Sequence, residues 1–129
     1  MALHRQPRQT IRSPWLWIGY WIGLFIATHV PLAGRGLVTV EHGDKLIHFA
    51  VYFLLTWLGG RHLLATGRHR AFSTLLIWAA IYALYAAVDE WLQSFVGRTM
   101  SLHDWLADLA GIVAASFVLA RRPPSATPP

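Results

Sequence analysis

The 129-residue sequence contains no cysteine, only six acidic residues and no stretch of strict apolar–polar alternation. Without cysteine there is no disulfide framework, no thiolate nucleophile and no zinc or iron–sulfur site built on sulfur. Without alternation, a transmembrane β-barrel has no signature. Charge is scarce as well: 13% of residues are charged, where a soluble domain carries about 25%. In their place stand 55% hydrophobic residues and seven tryptophans, too little polar surface for a globule in water to cover itself. The composition points to a membrane. The length admits one domain, with room for about four transmembrane helices.

Four apolar runs, residues 15–32, 46–64, 71–88 and 105–120, are each 16 to 19 residues long. At 1.5 Å per residue they reach roughly 24–28 Å, enough for a hydrocarbon core of about 30 Å when polar ends snorkel. All four read as spanning helices. The expected fold is therefore all-α, an integral membrane four-helix bundle. Trp15, Trp17 and Trp21 lie near the start of the first run, as an interfacial aromatic belt would, and the tryptophans read as core or belt residues. That run also has the outline of a signal peptide, with small residues at Ala33 and Gly34, but it is long and aromatic for one.

The 11 basic residues set an orientation. Arg5, Arg8, Arg12, Arg61, Arg68, Arg70, Arg121 and Arg122 fall on one side of the four-span topology. Short cytoplasmic segments retain Lys and Arg, so both termini are expected in the cytoplasm, with the chain multi-pass in the plasma or inner membrane. Arg35, Lys45, Arg98 and all six acids fall on the opposite side. The net charge of +5 is thus a topology signal, and no nucleic-acid partner is expected. The chain divides into a basic segment 1–14, a membrane domain 15–120 and a Pro-rich tail 121–129. Gly19, Gly23, Gly59 and Gly60 offer small surfaces through which the bundle can self-associate.

The informative residues are polar groups at the outer ends of three spans. Asp44, His48 and Tyr52 share a helix face at spacings of four, with Lys45 beside them; Tyr85, Asp89 and Gln93 do the same, next to Glu90. Ser101 followed by Asp104 is an N-cap signal. Asp108 lies one turn deeper, roughly 6 Å, where an acid costs about 2.5–3.5 kcal/mol unless it finds a partner. Arg98 follows Gly97 in the short outer connection. An up-down topology brings these ends to one level. There Asp44, Asp89, Glu90, Asp104 and Asp108 face only Lys45 and Arg98, an acidic excess that requires hydration, protonation or a cation such as His48.

Plainer readings stand beside this one. Asp89, Glu90 and Gln93 also suit a helix leaving the membrane, and Asp104 a simple helix cap. Lys45 and Arg98 suit structural counter-ions, and His48 a hydrogen-bonded packing residue. His29, His62 and His69 read as interfacial or loop residues. Ser101 with His48 and an acid outlines a nucleophilic triad, but the N-cap role already accounts for the serine.

The segments DKLIHFAVYFLL (44–55), DEWLQSFVGR (89–98) and SLHDWLADLAG (101–111) resemble the VanZ-like family of small bacterial membrane proteins. That family has a D-K-x-x-H element opening one helix, an acid pair with Gln ending the next, a G-R turn, and S-x-x-D with Asn or Asp before Gly in the last. The resemblance implies a membrane protein of about four helices, in a family named for a member linked to low-level teicoplanin resistance. It carries over Asp44, Lys45, His48, Asp89, Glu90, Gln93, Arg98, Ser101, Asp104, Asp108 and Gly111 as a motif set, without assigning a reaction. Many members have Asn where this chain has Asp108, so the acid adds a charge.

Two functions follow. In the first, an outward-facing polar pocket binds a cell-envelope lipid or precursor and affects glycopeptide susceptibility. Lys45 and Arg98 hold its phosphate or carboxylate, Asp44, Asp89 and Asp104 orient them, and His48 and Gln93 supply hydrogen bonds, with no cofactor. In the second, a membrane hydrolase or transferase acts on a lipid-linked phosphate through a divalent metal held by Asp44, His48, Asp89 and Asp104, with Glu90 as general base. Transport is disfavoured, because nothing polar continues toward the basic side.

Overall fold

A computed structural model of the chain describes residues 13–30, 43–65 and 72–121. The described residues form helices α1 (Trp15–His29), α2 (Gly43–Ala65), α3 (Phe72–Gln93) and α4 (Leu102–Ala120), with a 3-10 turn at Ser94–Val96 and no strand. The basic N-terminal arginines, Arg35, Glu41, the Arg68–Arg70 connection with His69, and the tail from Arg122 lie outside the described residues.

Local chemistry sets the helix ends. Val30 leaves α1 with extended backbone, as a residue ahead of a proline must to avoid the ring of Pro31. After α3, Gly97 takes φ +82° and the Arg98 N–H donates to the Gln93 carbonyl at 3.2 Å, a Schellman-type stop open to glycine at little cost. Ser101 caps α4, its hydroxyl accepting from Asp104 N–H at 3.3 Å. All four helices therefore differ in extent from the apolar runs, α1 ending at His29. α2 starts at Gly43, α3 continues to Gln93 and α4 starts at Leu102, because the capping and stop residues lie outside the apolar runs and carry the polar motifs inside the helices.

The most extensive helix contact is α2 against α4. Gly111 permits it: a Cβ there would run into the Phe49 carbonyl and approach Phe53 N at 2.9 Å. Gly59 and Gly60 are likewise used within the chain, against Tyr82 with Trp17 and against Leu119, whereas Gly19 and Gly23 on α1 have nothing within 4 Å. α1 attaches through aromatic side chains and through the Tyr20 hydroxyl, which donates to Val51 O at 2.9 Å. Trp17 meets Trp78 edge-on at 5.4 Å, and Trp21 meets Tyr82 and Tyr85 at 5.3 and 5.2 Å. Of the two roles open to these tryptophans, core packing is the one Trp17 and Trp21 take. Trp17 and Trp21, one turn apart, pack against α3, and only Trp15 is largely exposed, at 75%.

The bundle is inverted relative to a soluble protein. Among the described residues, twenty-four large apolar side chains are exposed, while Asp89, Glu90, Asp104, Asp108, His48, Gln93 and Thr56 are buried. Water would penalise such a surface heavily. Segment Phe72–Val96 and α4 are each long and apolar enough to cross a membrane, with only 22% and 33% of their apolar windows buried inside the chain. At the end of α2 and of α4, Arg61 and Arg121 lie over the rings of Trp57 and Phe117. Both arginines stand opposite the end that carries the buried acids.

Candidate functional site: a buried polar cluster at one end of the bundle

Antiparallel neighbours bring the C-terminal ends of α1 and α3 beside the N-terminal ends of α2 and α4. Three polar groupings meet there.

The first joins α2 to α4. His48 Nδ1 lies 3.0 Å from Asp108 Oδ1, both side chains buried. Asp108, which the sequence leaves in need of a partner, has one. With Asp108 ionised and the imidazole neutral, Nδ1–H donates and Nε2 carries the lone pair, on the side of Asp44. Nε2 is 4.0 Å from Asp44 Oδ1, whose side chain is 56% exposed. Ligand-capable atoms of Asp44, His48 and Asp104 all lie within 4.8 Å of one another.

The second is built on Glu90. In a full capping box the residue three beyond the cap would return its carboxylate to the cap's own N–H. Here Glu90 Oε1 of α3 takes the Ser101 N–H, at 2.7 Å. Asp104 therefore does more than cap: its backbone N–H serves the cap while its buried carboxylate is released toward His48 and Asp44. Glu90 Oε2 and the Tyr52 hydroxyl are buried without a hydrogen-bond partner among the described residues, and Tyr52 lies within electrostatic reach of Asp89, Asp108 and Glu90. Glu90 also lines a cleft of about 220 Å³ between α3 and α4, together with Ala87, Met100, Ser101, Leu102 and Trp105.

The third surrounds Asp89. Gln93 Nε2 donates to Oδ2 at 2.9 Å, the Thr28 hydroxyl to Oδ1 at 3.1 Å, and the Tyr85 hydroxyl lies 3.5 Å from Oδ1. His29 Nδ1 is 3.6 Å from the same oxygen. Asp89 is thus committed to α1 and to its own helix. It is not among the atoms that converge on His48, which removes it from the four-residue metal set drawn from the sequence.

Comparisons with protein-family profiles, curated proteins and solved structures give no match to this chain.

The sequence places ten residues at the site, and the structure sorts them. Asp44, His48, Asp104 and Asp108 converge, Glu90 and Ser101 join α3 to α4, and Asp89 with Gln93 forms the α1 contact. Lys45 is half-buried and Arg98 exposed, and among the described residues neither pairs with an acid. The counter-ion role expected of them is not found. Arg98 follows the left-handed Gly97 in an exposed turn, and the basic side chains nearest the buried acids are histidines. Thr28 and His29 were missed. The available signal was a Thr-His pair closing the first apolar run, at the level where α3 ends.

Proposed function

We propose that this chain is a VanZ-like integral membrane protein: a four-helix membrane bundle with both termini cytoplasmic, whose polar end binds the headgroup of a cell-envelope lipid or precursor. One observation carries the reading. Four carboxylates, Asp89, Glu90, Asp104 and Asp108, are buried at one end of an outwardly apolar bundle without a Lys or Arg partner among the described residues. An apolar medium makes such an excess costly unless donors or cations complete it. A headgroup bearing an amine or several hydroxyls supplies them, and Lys45 and Arg98, unpaired, are free for its phosphate. The cleft beside Glu90 supplies a lateral entrance: its walls are apolar except for Glu90 and Ser101, which suits an acyl chain outside and a polar group within.

The three sequence elements that resemble the VanZ-like family supply most of this end of the bundle, which supports reading them as one site. Altered glycopeptide susceptibility would follow from sequestering or repositioning an envelope lipid. Native mass spectrometry of the full chain, extracted gently from bacterial membranes, tests the proposal. Wild type should retain a phospholipid-mass adduct, and Arg98→Ala and Glu90→Gln should each reduce its occupancy at least fivefold. Equal occupancy in all three proteins would overturn it.

A further inference from the structure

We propose that Asp44, His48 and Asp104 form a divalent transition-metal site, with Asp108 as the carboxylate that orients the histidine. Metal-ligating histidines characteristically give their second ring nitrogen to a carboxylate, which fixes the tautomer and raises the basicity of the ligating nitrogen. His48 is set in that way, Nδ1 on Asp108 at 3.0 Å and Nε2 toward Asp44 at 4.0 Å. Two donors on one ion at bond lengths of about 2.0–2.2 Å stand no more than about 4.4 Å apart. The His48–Asp44 separation already meets that limit, and all three donors lie within 4.8 Å. Asp44, whose side chain is 56% exposed, has room to adjust its rotamer toward an ion.

A second observation points to a cation. Asp104 is nine-tenths buried, yet no donor among the described residues reaches its carboxylate, because Glu90 has taken the capping N–H it would otherwise accept. A carboxylate of a nine-tenths-buried residue within 4.8 Å of an imidazole nitrogen and a second carboxylate favours a cation between them. One nitrogen and two carboxylate oxygens suit Zn²⁺ or Mn²⁺ over Ca²⁺, and three protein ligands leave coordination positions open to solvent or to an oxygen of a ligand. Asp108 is a positioning residue here: it touches the histidine and not the ion.

The full chain, purified in detergent, stripped with a chelator and dialysed against Zn²⁺ or Mn²⁺, is assayed for bound metal by plasma mass spectrometry, with helicity followed by circular dichroism. Wild type should hold one ion per chain. Asp44→Asn and Asp104→Asn should weaken binding at least tenfold, and Asp108→Asn by about 10- to 100-fold, the range for lost outer carboxylates. Asp44→Asn, at an exposed position, keeps the test valid if a buried variant fails to fold. Wild type without stoichiometric metal, or metal retained unchanged in Asp44→Asn and Asp104→Asn, would overturn the assignment, the latter meaning an ion held by surface histidines. The two readings fail separately: a wild type that holds one metal ion but retains no lipid adduct rejects the headgroup reading alone, and one that retains the adduct without metal rejects the metal site alone.

Discussion

Gly111→Ala is the sharpest test of how the fold serves the polar end. The added methyl would meet the Phe49 carbonyl and lie 2.9 Å from Phe53 N and 3.2 Å from Phe49 C, all backbone of α2. Backbone has no rotamer to yield, so α4 must retreat. Restoring ordinary contact at 3.4 Å or more from Phe53 N alone takes a shift of 0.5 Å. The same interface holds the His48–Asp108 contact at 3.0 Å, and a shift of that size stretches it to the edge of hydrogen bonding. Overpacking costs about 1–3 kcal/mol, and a weakened charge-assisted bond adds about 1 kcal/mol. Any glycine-to-alanine change inside a helix also gains about 1 kcal/mol of propensity, so the matched control is Gly23→Ala, where nothing lies within 4 Å. Unfolding in detergent, followed by circular dichroism, should place Gly111→Ala about 2–4 kcal/mol below Gly23→Ala. Indistinguishable stabilities would show that α2 and α4 do not pack as closely as described, and the geometry at His48 would fall with that packing.

Two further predictions use the same assay. Ser101→Ala removes the α4 cap and should cost about 0.5–2 kcal/mol, with Ser101→Gly costing only a few tenths; equal losses would place the cap elsewhere. Thr28→Val removes the hydroxyl that α1 gives to Asp89 at 3.1 Å and should cost about 0.5–1.5 kcal/mol. In a double-mutant cycle with Asp89→Asn its effect should shrink, and strict additivity would exclude the contact.

The sequence made much of the helical architecture legible, since the apolar runs at 15–32, 46–64, 71–88 and 105–120 each contain most of a helix and the Ser101 cap is readable three residues ahead of Asp104. Its errors and open choices lie where long-range contact overrides local pattern. Trp17 and Trp21 sit near the start of a run, a place open to core or belt alike, and only the packing decides that they face α3, one turn apart. Lys45 stands beside Asp44, and Arg98 in the turn between the acids of α3 and α4, yet among the described residues neither pairs with an acid, because pairing depends on which side chains the packed helices bring together. The reach of Thr28 and His29 to Asp89 spans about 60 residues, a separation that periodicity does not encode.

By itself, then, the sequence determined that this is a helical chain with an apolar exterior, polar groups gathered at one end, and an acid at 108 that needs a partner. Those follow from composition and period, which act locally. Only the tertiary structure decided that the partner is His48, that Glu90 takes the cap's N–H and so frees Asp104, and that Asp89 belongs to α1 rather than to the histidine. Each of these depends on which helix faces which, and that is settled by close approach at Gly111 and the aromatic packing of α1, where shape complementarity and not local propensity chooses the neighbour.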